Sequence, residues 1–133
     1  MKIRMIAFDL DGALLDDRKN VSEKNRYALE VCGNLGIYLV PCTERISQAI
    51  PDDVLSIQGI RYAVTINSAA IEELKEHQIL NQKFLSYKTA VSIMKLTDKH
   101  PRIMYDAYLD GIGISEEKFY DHLDNFGILF DVQ

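Results

Sequence analysis

Apolar and polar positions fall along this chain in blocks that separate into strands and helices. Residues 4–8 (Arg-Met-Ile-Ala-Phe) are nearly all apolar and stop at Asp9, the pattern of a strand buried on both faces. Ser22 is placed to cap a helix whose apolar face is Ala28, Val31, Cys32 and Leu35 and which stops near Gly36. Residues 37–40 read as a second buried strand ending at Pro41, residues 44–58 are polar with room for a short helix, and residues 62–66 form a third apolar strand ending at Asn67. Strand, helix, strand, helix, strand at these lengths predicts βαβ units and a parallel sheet.

The pattern then changes. Residues 69–74 and 79–84 flank the polar stretch Lys75-Glu76-His77-Gln78, as the arms of a hairpin would. Ser86 opens a helix bearing Tyr87, Val91 and Met94, which closes before Pro101. Residues 102–108 and 112–114 read as strands around the turn Asp110-Gly111, and Ser115 caps a last helix with Phe119, Leu123 and Phe126 on one face and Gly127 at its end. A final strand begins over residues 128–132. The expected fold class is α/β: a Rossmann-like parallel sheet over residues 1–83, followed by a partial α+β unit over residues 84–133.

The chemistry concentrates where the first strand ends, in Asp9-Leu10-Asp11-Gly12. Residues at i and i+2 of an extended chain project to one side, so both carboxylates can face one pocket. The carboxyl edge of a parallel sheet is where open α/β folds place ligands. Two acids there suit Mg²⁺, a hard cation usually shared with substrate phosphate. One acid could then attack phosphorus while the other moves protons. Alone, the segment reads equally well as a solvated acidic turn. A calcium loop fails, because counting from Asp9 puts Leu14 where that loop needs glycine and Asn20 where it needs glutamate. The second strand runs into Thr43-Glu44-Arg45 and the third into Asn67-Ser68-Ala69, which brings a hydroxyl and an amide to the same edge. Taken singly, Thr43 is a local cap and Asn67 a turn residue.

Composition narrows the rest. The 133 residues carry a net charge of −5 mixed along the chain with no basic run, which argues against nucleic acid or an anionic membrane as partner. No apolar run approaches a transmembrane helix and the start lacks a signal-peptide stretch, so a cytoplasmic location is expected. Cys32 and Cys42 match no metal spacing, and Cys42 lacks the arginine six positions later that a cysteine phosphatase needs. His77 and His122 read as solvated, His100 as a cation at a helix end, and Tyr105 and Tyr108 as packing residues ahead of the alternative that they shape a substrate pocket.

With these motifs in place, the chain resembles the haloacid dehalogenase-like hydrolases, and within them the Cof-type sugar-phosphate phosphatases. Asp9 to Leu15 matches that family's Asp-x-Asp-Gly-Thr-Leu-Leu, Thr43-Glu44-Arg45 its Thr-Gly-Arg, and Asn67-Ser68-Ala69 its Asn-Gly-Ala, with a hairpin and cap-like segment following. The resemblance implies a partial core of that fold before a partial cap, and an Mg²⁺-dependent phosphatase of small phosphorylated metabolites. By it Asp9 is the nucleophile, Asp11 the general acid/base, and Thr43 a phosphoryl-binding hydroxyl, with Arg45 and Asn67 near the substrate. The metal would take the Asp9 carboxylate and the Asp11 backbone carbonyl.

Three substitutions depart from the pattern: Ala13 for threonine, Glu44 for glycine and Ser68 for glycine. A Glu44 carboxylate about 4 Å from a phosphoryl oxygen would cost roughly 4 kcal/mol at an effective dielectric near 20, so it is expected to turn outward or pair with Arg45. The family's later lysine and Gly-Asp-x-x-x-Asp motif have no counterpart by position, since Lys88, Lys95 and Lys99 fall on the cap helix and Asp110, Asp121, Asp124 and Asp131 within the cap. The sheet is expected to leave apolar surface for a second copy or a missing C-terminal half to cover. The alternative is a non-catalytic remnant serving as a binding or assembly module. A receiver-like signalling domain is disfavoured by the hairpin and helix after residue 68.

Overall fold

The computed structural model describes residues 2–100, 103, 105–109 and 112–115. The chain divides into two compact units, Met1–Lys83 and Phe84–Gln133. The expected turn at Asp110-Gly111, the last helix after Ser115 and the strand over residues 128–132 lie outside the described residues.

In the first unit, strand β1 (Met5–Phe8) pairs in parallel with β2 (Tyr38–Pro41), in the register Met5↔Tyr38 to Phe8↔Pro41. Helix α1 (Glu23–Asn34) makes the crossover. It starts where expected, with the Ser22 hydroxyl accepting from the Asn25 amide at 3.2 Å. It stops in a Schellman arrangement: the Ile37 amide donates to the Cys32 carbonyl at 3.1 Å, the Gly36 amide to the Gly33 carbonyl at 2.9 Å, and Gly36 takes φ +75°. The chain then enters β2 directly. Parallel bridges Leu39↔Ile60 and Cys42↔Val64 place β3 (Tyr62–Thr65) on the far side of β2.

From β3 the chain folds back as an antiparallel meander through β4 (Ala70–Glu73) and β5 (Gln78–Gln82). The polar stretch between β2 and β3 forms a single 3-10 turn, Ser47–Ala49, and the short helix α2 (Asp52–Leu55). Three of its apolar residues go inward, while Leu55 stays exposed. Ile50, Val54 and Ile57 join Leu10, Leu15, Val21, Leu39 and Ala63 in the core. Asp53 ties this layer to the loop after β1, accepting from the Val21 amide at 2.8 Å and pairing with Arg26 of α1.

Two expectations about burial need correction. β1 alternates between exposed and half-buried positions, with Met5 58% exposed, because among the described residues it has a strand on one edge alone. The core-facing side of α1 is Leu29 and Cys32, while Ala28, Val31 and Leu35 are exposed. An apolar stripe identifies a surface that can be buried, not what buries it.

In the second unit, α3 (Tyr87–Thr97) is capped by Ser86, whose hydroxyl accepts from the Thr89 amide at 3.1 Å. It turns Val91 and Met94 partly inward and leaves Tyr87 exposed. Strands β6 (Asp106–Leu109) and β7 (Ile112–Ser115) pair antiparallel, and Tyr105 and Tyr108 are half-buried there.

Candidate active site

The first unit's parallel strands end side by side, and backbone hydrogen bonds lock their exits together. The Cys42 amide donates to the Phe8 carbonyl at 2.8 Å, and the Thr43 amide to the Val64 carbonyl at 2.9 Å. Past β3, the Ile66 amide reaches the Arg45 carbonyl at 3.0 Å and the Asn67 amide the Thr43 carbonyl at 3.3 Å. The loop carrying Thr43 and Arg45 is thereby held between the other two strand ends.

Asp9 leaves β1 exposed to solvent, with Oδ1 accepting from the Leu10 amide at 2.8 Å. Asp11 lies on the other side of a buried Leu10 and is held by two cations. Arg45 donates from Nε to Oδ2 at 2.7 Å and from Nη2 to Oδ1 at 2.9 Å, a two-pronged contact. Lys19 Nζ also reaches Oδ1, at 2.7 Å. Hydrogen bonding from Arg45 outweighs partial burial and, with help from Lys19, lowers the Asp11 carboxyl to about 2. The same bond holds the Arg45 guanidinium further above its already basic range. Arg45 is itself aimed by its Nη1, which donates to the Ala49 carbonyl at 3.0 Å.

The remaining expected residues sit where the strand ends place them. Thr43 is buried, and its hydroxyl accepts from the Arg45 amide at 3.2 Å, so it braces its own loop. Asn67 takes φ +50° and Ser68 φ +71° as the central pair of a turn closed by the Ala69 amide on the Ile66 carbonyl at 2.9 Å. That is a type I′ turn, which favours asparagine then glycine. Ile66 precedes it at φ +51°, a region β-branched residues rarely occupy. Glu44 is exposed, and its charge acts on Arg45 without a direct bond between them. Cys42 stays protonated, its thiol pushed up by burial and then by the Asp9 charge.

Among the described residues no group of three or more His, Cys, Asp or Glu could hold a metal ion. Beside Asp9 an open cleft of about 320 Å³ is lined by Ile6, Phe8, Ala13, Leu14 and α1 residues.

Lys19 escaped the sequence reading. It lies in Asp16-Asp17-Arg18-Lys19-Asn20, which looks like a solvated polar turn, and its contact spans eight residues. The one available signal was a doubly charged basic pair closely following two acids.

A sequence model of the haloacid dehalogenase-like hydrolase family matches residues 6–127. The Bacillus subtilis protein YxeH is 28% identical over 126 residues, an alignment covering 89% of this chain and 47% of YxeH. The 5-amino-6-(5-phospho-D-ribitylamino)uracil phosphatase YcsE of the same organism is 28% identical over 98 residues, 74% of this chain and 39% of that protein. The solved structure of a haloacid dehalogenase-like hydrolase from B. subtilis superposes with a TM-score of 0.75 at 26% identity, over 92% of this chain and 42% of that one. The chain spans less than half the length of each of these proteins.

Proposed function

Because this chain belongs to the haloacid dehalogenase-like hydrolase family, we propose that it carries the nucleophile-bearing half of a phosphoric monoester hydrolase acting on a small phosphorylated metabolite. The observation that supports this best is the joining of three strand ends by named hydrogen bonds, with an exposed Asp9 beside a cation-held Asp11. The phosphatase relative YcsE supports the substrate class.

Asp9 attacks the phosphorus atom, the ester oxygen leaves, and an aspartyl-phosphate forms on Asp9. Asp11 protonates the leaving oxygen and then takes a proton from the water that hydrolyses the intermediate. In the resting arrangement Asp11 is ionised, so the first of these roles requires Arg45 and Lys19 to turn toward the phosphoryl group. Thr43 and Asn67 face the transferring oxygens, and Arg45 screens the charge that builds on them.

The donors suit Mg²⁺. Asp9 is exposed with one oxygen fixed by the Leu10 amide, and the family resemblance gives the metal the Asp9 carboxylate and the Asp11 backbone carbonyl. When bound, Mg²⁺ would neutralise phosphoryl oxygens and the two acids together. The exposed Tyr27, Val31 and Leu35 of α1 and the edge of β1 that no strand among the described residues pairs support a further part of the fold, or a second copy, covering this face.

The test is turnover of p-nitrophenyl phosphate with and without Mg²⁺. Asp9→Asn is expected to abolish metal-dependent turnover, a loss of about 10³-fold or more. Turnover unchanged by Asp9→Asn would remove Asp9 from the mechanism. That no third acid joins Asp9 and Asp11 in a metal-holding group among the described residues favours a second reading, a phosphate-binding module without turnover. Phosphate binding with no hydrolysis, in a protein carrying the rest of the fold, would select it.

A further inference from the structure

We infer that Lys19 is a phosphate-binding residue of this site, forming with Arg45 a two-cation clamp that Asp11 occupies until a phosphoryl group displaces it. The inference rests on the phosphatase reading and extends it to a residue that none of the strand-end motifs contains.

The cations outnumber the acid they share. Lys19 Nζ and Arg45 Nη2 both donate to Asp11 Oδ1, at 2.7 and 2.9 Å, while Arg45 Nε takes Oδ2 at 2.7 Å. One carboxylate balances one of these charges. A phosphate dianion offers two negative charges and three oxygens to the same donors. The Lys19 side chain is 50% exposed, so its ammonium keeps donors free for a ligand arriving from solvent, whereas Arg45 is 11% exposed and braced from behind by the Ala49 carbonyl.

Lys19 is aimed by a built loop. The Asp16 carboxylate accepts from the amides of Arg18 and Asn20, both at 2.9 Å. The backbone closes on itself through Asp16 amide to Asn20 carbonyl at 3.0 Å and Lys19 amide to Asp16 carbonyl at 2.9 Å. This holds Lys19 at φ +63°, a conformation costly for a residue with a side chain. An ordinary surface lysine would reach its partner from relaxed backbone. The loop opens directly from the Asp9 motif through Leu15, which is buried in the core, so its base is anchored.

The bland account is a surface ion pair, which would contribute little to stability and nothing to ligand binding. Titrating the full chain with inorganic phosphate in the presence of Mg²⁺, followed by ³¹P NMR, separates the two. Lys19→Met is expected to weaken phosphate binding about tenfold, the loss of one charge-assisted contact, while Lys19→Arg stays within about threefold. Asp16→Ala keeps the charge but loses the aim, and falls between them. Unchanged phosphate affinity in Lys19→Met overturns the inference, as does a wild-type chain that binds no phosphate at millimolar concentration. Phosphate binding that depends on Lys19 while p-nitrophenyl phosphate is not hydrolysed supports the clamp and counts against the phosphatase reading. Hydrolysis that persists with phosphate affinity indifferent to Lys19 does the reverse.

Discussion

Asp11 and Arg45 lie 34 residues apart in sequence, yet they make the closest two-pronged ion pair of the site. The consequence is a defined dependence on acid. A carboxyl whose folded value is depressed contributes stability above its unfolded value and loses it as pH falls through the folded one. For Asp11 the contribution is complete above about pH 4 and disappears between there and about 2, since its carboxyl sits at about 2 against an ordinary 3.8. Replacing Arg45 with methionine removes the largest cause of the shift. The Asp11 carboxyl carbon, followed by ¹³C NMR, should then titrate at higher pH than in the unaltered chain; the same midpoint in both would show that Arg45 does not set it. No pattern in the sequence announces this pair, because register across β1 and β2 creates it. The motif reading placed both residues near one pocket and left their partnership unseen.

At the scale of elements, caps and strand ends were legible because their signals are local. Ser22 and Ser86 start helices by accepting from the amides three residues on, and the apolar runs end at Asp9, Pro41 and Asn67 within a residue or two of the observed strands. The inward face of α1 was misread because the helix is only partly covered among the described residues. Its tightest packing uses a residue that periodicity ignores. Gly33 lies against the Gln58-Gly59 backbone, where an added Cβ would stand 2.5 Å from the Gln58 carbonyl oxygen. Alanine at an exposed helix position gains about 1 kcal/mol over glycine. Here that gain meets a backbone collision, and Gly33→Ala is expected to lower stability by about 1–3 kcal/mol in urea unfolding. Stabilisation by this change would mean that α1 does not approach the loop before β3 so closely.

Across the described molecule, polar chemistry and apolar exposure lie on neighbouring parts of the first unit. Tyr27 and Leu35 are each 71% exposed on α1, and Val31 40%. Such positions tolerate charge when nothing covers them, so Tyr27→Glu with Val31→Lys should change stability by no more than about 0.5 kcal/mol each while reducing self-association in sedimentation. A large destabilisation would show these side chains to be covered in the isolated chain. The fold class and the ordering of the strand ends were readable without coordinates; the uncovered surfaces were anticipated in kind but not located. One coupling emerges only from the assembled backbone. The turn at Asn67-Ser68 and the loop at Thr43-Glu44-Arg45 share two amide-to-carbonyl bonds, so positions 44 and 68, where the family motifs carry glycine, lie on opposite sides of a single joint, and of the two Ser68 alone takes a positive φ. Restoring glycine at 68 should relieve about 1 kcal/mol of left-handed backbone cost and raise the melting temperature by a few degrees. Restoring it at 44 as well should give a total that differs from the sum of the separate effects, the mark of two loops that adapt to substitution together.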